Sequence, residues 1–125
     1  MSLFKGTSVI DLAPKDFDNM GRIIHPVLDG NKKGLIVWSA EWCGHCKALK
    51  PDYIKAASIL GNSFPLFNVD CVKYSDFASK MGIKGYPTIK YIDRTGKIAK
   101  DFVADRSVTG IIDDVCSETK VCKRI

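Results

Sequence analysis

Apolar residues along this chain follow two periods, and each period marks a kind of element. From Gly34 to Ser39 the apolar positions are consecutive, Leu35-Ile36-Val37-Trp38, as in a strand covered on both faces. From Cys43 to Leu60 they recur every three or four residues, at Cys46, Leu49, Tyr53, Ala56, Ala57 and Leu60, which predicts one long helix. Pro51 lacks a backbone donor and should kink that helix. The same spacing at Val108, Ile111, Ile112 and Val115 predicts a last helix from Ser107 to about Ser117. Ser8 to Leu12 reads as a short first strand and Phe64 to Asp70 as a third. Thr88 to Asp93 and Lys97 to Val103 read as a hairpin. Ser75 to Met81 reads as a short helix with Phe77, Ala78 and Met81 inward. Pro14 to Met20 reads as a first helix, with Pro14 suited to its opening position. In Gly21 to Lys33, Ile23, Ile24, Val27 and Leu28 suggest that this helix continues until Pro26 breaks it. Strands and helices that alternate and then end in a hairpin predict an α/β fold. Its central sheet should be mixed, with helices on both faces.

Composition narrows the class without naming a chemistry. The 125 residues suit one domain, 1–125, with a real core. Hydrophobic residues make up 46% and charged residues 26%, ordinary for a globular protein. The net charge of +5 comes from basic residues that are scattered, with short clusters only at Lys32-Lys33 and Lys123-Arg124. Such a pattern serves solubility and makes no case for nucleic acid. No apolar run approaches the roughly 18 residues of a membrane span. Neither the opening Met1-Ser2-Leu3-Phe4-Lys5-Gly6 nor the closing Val121-Cys122-Lys123-Arg124-Ile125 carries a secretory or retention signal. The chain as it stands therefore reads as cytoplasmic and monomeric. A processed fragment would leave an oxidising compartment open.

The chemistry is concentrated in Trp42-Cys43-Gly44-His45-Cys46-Lys47. Two cysteines three apart, after a strand and at the start of a helix, lie on one face of the first turn, so their sulfurs can bond. Cys43 falls where free backbone N–H groups and the helix dipole favour negative charge, so its thiolate should be stabilised. Cys46, one turn inside, should be more buried. The first cysteine attacks and the second resolves. His45 between them should favour the thiolate, and hence the reduced form. A zinc site would need four ligands, and the only other close cysteine pair is Cys116 and Cys122, so no metal is expected. Six residues of continuous helix rise about 9 Å, beyond the disulfide limit of about 7 Å. That pair would bridge only if the helix ends near Ser117. Cys71 reads as a half-buried free thiol, and His25 as structural or exposed.

WCGHCK resembles the active site of the protein disulfide isomerase family within the thioredoxin superfamily. Gly85-Tyr86-Pro87-Thr88 is similar to that family's cis-proline loop, Arg94-Thr95-Gly96-Lys97 to its last hairpin turn, and Pro51 to its helix proline. The resemblance spans roughly residues 7 to 117. It implies a thioredoxin fold and a thiol–disulfide oxidoreductase that needs no cofactor. Its substrates would be protein or peptide thiols and disulfides, with a reductase or oxidase as partner. The implied catalytic set is Cys43, Gly44, His45 and Cys46, joined by Arg106 of Ala104-Asp105-Arg106, which matches the isomerases' mobile arginine. Trp42, Gly85, Tyr86 and Pro87 would form the substrate platform, with Tyr86–Pro87 cis. A thioredoxin-like reductase and a non-catalytic peptide-binding module are the rival readings. One departure stands out. The family carries a buried acid six residues before the first cysteine, often paired with a lysine on the next strand. Those places here are Val37 and Leu66, which puts proton transfer from Cys46 in doubt.

Overall fold

A computed structural model describes residues 2–125. Five strands form one sheet: β1 Ile10–Leu12, β2 Gly34–Ser39, β3 Leu66–Asp70, β4 Thr88–Ile92 and β5 Ile98–Asp101. Their order is β1-β3-β2-β4-β5. The first three are parallel, β4 runs antiparallel to β2, and β5 runs antiparallel to β4. Three helices accompany them: α1 Gly44–Leu60, α2 Ser75–Lys80 and α3 Val108–Thr119.

Alternation along β2 divides the interior in two. Leu35 and Val37 point to the side of α1 and α3, where Leu49, Tyr53, Leu60, Ile111 and Val115 complete one core. Ile36 and Trp38 point to the other side, against Phe67, Val69, Phe17 and Ala78. Every residue of β2 and β3 is buried, which explains the unbroken apolar run of β2. The polar exceptions in β3 are paired. Asn68 accepts from the Ser39 hydroxyl at 2.5 Å and donates to Asp11 Oδ1 at 2.9 Å, so three adjacent strands share a polar row.

The expected first helix, Pro14 to Met20, does not form. Only one 3-10 turn stands there, Pro14–Asp16, followed by an isolated antiparallel bridge between Phe17 and Ile23. The reason is local competition for backbone donors. The Asp18 carboxylate takes the N–H groups of Met20 and Arg22, both at 2.9 Å, and Gly21 at φ +80° turns the chain back. The helical continuation expected through Lys33 is likewise a single turn, Pro26–Leu28. One face of the sheet is thus covered by two long helices and the other by short α2 and this irregular segment. The segment is anchored where Ile23 N–H donates to Gly96 O at 2.8 Å. A side chain at Gly96, whose φ is +83°, would put its Cβ 2.3 Å from Ile23 O, so only glycine allows this contact. Helix α1 runs on through Pro51 and ends at Gly61.

Candidate active site

Helix α1 begins directly beyond the end of β2, and Cys43 is its N-cap. The Cys43 sulfur accepts the N–H of Cys46 at 3.3 Å, taking up one of the donors that a helix start leaves free. Its thiol also points to Tyr86 O, 3.5 Å away. Both cysteines are free thiols and both are buried, Cys46 completely. Burial, followed by the hydrogen bond with Cys43, pushes the Cys46 thiol up to about 12. The two sulfur environments are therefore unequal. Cys43 receives one backbone N–H and keeps slight exposure, whereas Cys46 is fully sealed.

The Gly85-Tyr86-Pro87 loop lies against this pair, with Tyr86–Pro87 cis. Tyr86 packs both on the cluster of Ala40, Cys43 and Cys46 and on the core beneath α2. Its ring meets Trp42 edge-on at 5.9 Å between centroids. Trp42 itself is 66% exposed, a large apolar surface left open beside the sulfurs. Gly44 and His45 occupy the exposed first turn of α1. His45 and Arg106 share a shallow cleft of about 340 Å³ with Asp52 and Asp105. Arg106 donates to Pro87 O at 3.4 Å, so it rests on the cis-proline loop. The structure thus gathers Trp42, Cys43, Gly44, His45, Cys46, Gly85, Tyr86, Pro87 and Arg106 around one end of the sheet.

Two neighbours escaped sequence reasoning. Leu3 packs on the cluster formed by Ala40, Cys43 and Cys46. Cys71, expected to be half-buried, is only 3% exposed. Burial pushes its thiol up to about 11, and the Tyr86 hydroxyl bonds it. The signal was the place of Cys71, which directly follows β3 as the active-site loop follows neighbouring β2. His25 lies away from the site, where its Nδ1 accepts the Val27 N–H at 3.1 Å.

At the far end of α3, Cys116 and Cys122 form a disulfide with their Cα atoms 4.4 Å apart. Helix α3 ends at Thr119, two residues beyond the expected Ser117 and before Cys122. Lys120 then takes a left-handed conformation, φ +67° and ψ 9°, and folds the chain back on itself. That reversal, absent from a continuous helix, brings the two sulfurs together.

A sequence profile described as Thioredoxin matches residues 9–117. The chain belongs to the thioredoxin family. Among proteins similar to it is Protein disulfide isomerase-like 2-2 of Oryza sativa subsp. japonica, 38% identical over 108 residues, which are 85% of this chain and 28% of that protein. Protein disulfide-isomerase of Oryctolagus cuniculus is 42% identical over 91 residues, 69% of this chain and 18% of that protein. In structure, the chain resembles the first thioredoxin domain of mouse Protein disulfide-isomerase A4, with a TM-score of 0.66, 33% identity, and coverage of 88% of this chain and 74% of that one. The thioredoxin-family chain thus spans under a third of these curated relatives, and its mixed five-stranded sheet is the fold they share with it.

Proposed function

We propose that this chain is a thiol–disulfide oxidoreductase domain that acts on protein disulfides through Cys43 and Cys46. The carrying observation is Cys43 as N-cap of α1, its sulfur receiving the Cys46 N–H at 3.3 Å. Backbone donors aimed at a sulfur stabilise its thiolate, and thiolate is the attacking species. In the reductive direction the Cys43 thiolate attacks one sulfur of a substrate disulfide. A mixed disulfide forms, and the other substrate sulfur leaves as thiolate and takes a proton. Cys46 loses its proton, attacks the Cys43 sulfur, and releases the second substrate thiolate. Two electrons pass from the Cys43–Cys46 dithiol to the substrate, and a disulfide remains between the two cysteines. Oxidation of a substrate dithiol is the reverse.

Trp42, Tyr86 and the backbone of Gly85 and Pro87 are suited to hold an extended peptide beside Cys43, a short form of strand addition. His45 at the exposed turn biases the couple toward thiolate and makes the disulfide more oxidising. Arg106, now on Pro87 O, lies in the same cleft as His45 and is placed to approach as charge develops on sulfur. No metal or organic cofactor takes part in these steps. The expected cytoplasmic location finds no support among relatives that are protein disulfide isomerases. The Cys116–Cys122 disulfide suits an oxidising compartment, which is the location we infer.

A second reading, a peptide-binding module with negligible turnover, draws on one observation. Val37 is fully buried where the family places a proton-accepting carboxylate. Parallel assays of insulin reduction and of refolding of a scrambled disulfide substrate separate the readings. Activity in either, lost in Cys43→Ala, supports the oxidoreductase. Binding without turnover in both supports the module.

A further inference from the structure

We propose that Cys116–Cys122 is a second exchangeable disulfide, opened by small anionic thiols of the glutathione class and independent of Cys43–Cys46. Its opening frees the segment from residue 120 onward.

Arg106, on the active-site cleft, immediately precedes Ser107, the N-cap of α3. Cys116 lies eight residues beyond Val108, about 12 Å along the helix at 1.5 Å per residue. The bond therefore sits at the opposite end of α3 from the active-site cleft and must exchange with a thiol from outside.

Access and charge then select that thiol. Cys122 is exposed and Cys116 half-buried, so attack falls on Cys122. Lys120, Lys123 and Arg124 flanking it are all exposed; of the acids on α3 nearby, Glu118 is bound to Lys100 and Asp114 accepts from Tyr91, leaving exposed Asp113, a turn before Cys116, against three cations. A basic collar of this kind draws an anionic thiol and stabilises the Cys122 thiolate formed at the end.

Lysine at φ +67° is unfavourable for a residue with a Cβ, and this conformation persists where the surroundings enforce it. The disulfide encloses that residue in a loop of only seven, and short loops gain least from closure. Exposed disulfides of this kind belong to the labile, regulatory class. Val121 packs against the main core, so the clasp also fixes where the chain continues.

The steps balance. A glutathione thiolate attacks Cys122 Sγ, the Cys116–Cys122 bond breaks, and Cys116 leaves as thiolate and is protonated. A second glutathione thiolate attacks the glutathione sulfur of the mixed disulfide. Glutathione disulfide departs and Cys122 is left reduced. Two glutathione molecules are oxidised and one protein disulfide is reduced.

The test equilibrates the full chain in glutathione buffers, alkylates it, and maps each cysteine by mass spectrometry, in the native sequence and in Cys43→Ala/Cys46→Ala. The expected result is reduction of Cys116 and Cys122 in both proteins, over buffer ratios that also titrate Cys43–Cys46 in the native chain. Trypsin should then cut after Lys120 faster than in the oxidised form. Lys123→Glu/Arg124→Glu should slow opening by glutathione about threefold and slow opening by dithiothreitol, whose attacking thiolate carries less negative charge, distinctly less. Persistence of the bond in buffers that fully reduce Cys43–Cys46 overturns the proposal, as does equal slowing with both reductants. The active-site variant reports on this bond alone, so a failure here is distinct from a failure at Cys43.

Discussion

Val37 stands directly opposite Asn68 across the parallel pairing of β2 and β3. Leu66, one step along the same face, pairs with Leu35. All of these side chains are buried beneath α1. The place where the family keeps an acid is therefore apolar, its diagonal neighbour is apolar, and the adjoining amide is committed to Ser39 and Asp11.

Val37→Glu alone should destabilise the fold by at least about 2 kcal/mol, because nothing beside it neutralises a buried carboxylate. Adding Leu66→Lys should recover part of that loss, since a lysine chain spans the diagonal. The pair should also speed resolution of mixed disulfides by providing a base near Cys46. Denaturant titration and rapid-mixing kinetics check the two halves. Equal resolution rates in the native chain and the double variant would show that Cys46 already has an adequate route for its proton.

Alkylation should separate the two active-site thiols. Cys43 receives a backbone donor, and burial pushes Cys46 up to about 12. Brief iodoacetamide treatment at mildly acidic pH should label Cys43 well ahead of Cys46, read by peptide mass spectrometry. Preferential labelling of Cys46 contradicts the assignment of attacker and resolver.

His45→Pro should make the disulfide less oxidising. His45 occupies the exposed turn between the two cysteines, a place from which a cation or donor favours thiolate, so its removal should lower the reduction potential. A shift of about 30 mV corresponds to about 1.4 kcal/mol for a two-electron couple. A glutathione titration of the Cys43–Cys46 pair measures it, and an unchanged midpoint makes the residue incidental.

The reduced protein should lose stability as pH rises above about 9. The Cys46 thiol titrates near 12 when folded against 9.0 ordinarily, and Cys71 near 11. Above the ordinary value the unfolded chain sheds these protons while the folded chain keeps them. The stabilising contribution is therefore complete below about pH 9 and declines between there and about pH 12. Thermal unfolding followed from pH 8 upward should fall less steeply in reduced Cys46→Ala than in the native chain. Parallel curves would remove Cys46 from the balance.

Long elements were legible because periodicity and position reinforce each other. The six-residue run of β2 and the three-four spacing of α1 each follow from how those segments are covered. The active-site pair was legible because strand end, cysteine spacing and helix start are all local. The segment from Pro14 to Lys33 was not, since its apolar residues mimic a helix while Asp18 and Gly21 turn the backbone away. The Cys116–Cys122 bond was left open by the same logic: it hangs on Lys120 adopting a conformation that its residue type does not advertise. The contact of Tyr86 with Cys71 joins residues 15 apart and is set by tertiary packing alone.

The two indoles divide the labour of observation between them. Trp38 is sealed in the core among Phe17 and Phe77, with its ring nitrogen unpartnered, while Trp42 stands 66% open beside Cys43. Emission from the first follows the packing of the interior; emission from the second follows the redox pair and whatever lies across it. A Trp42→Phe variant isolates the interior signal and a Trp38→Phe variant the surface one. Unfolding and substrate arrival can thus be timed separately in this chain, without a dye.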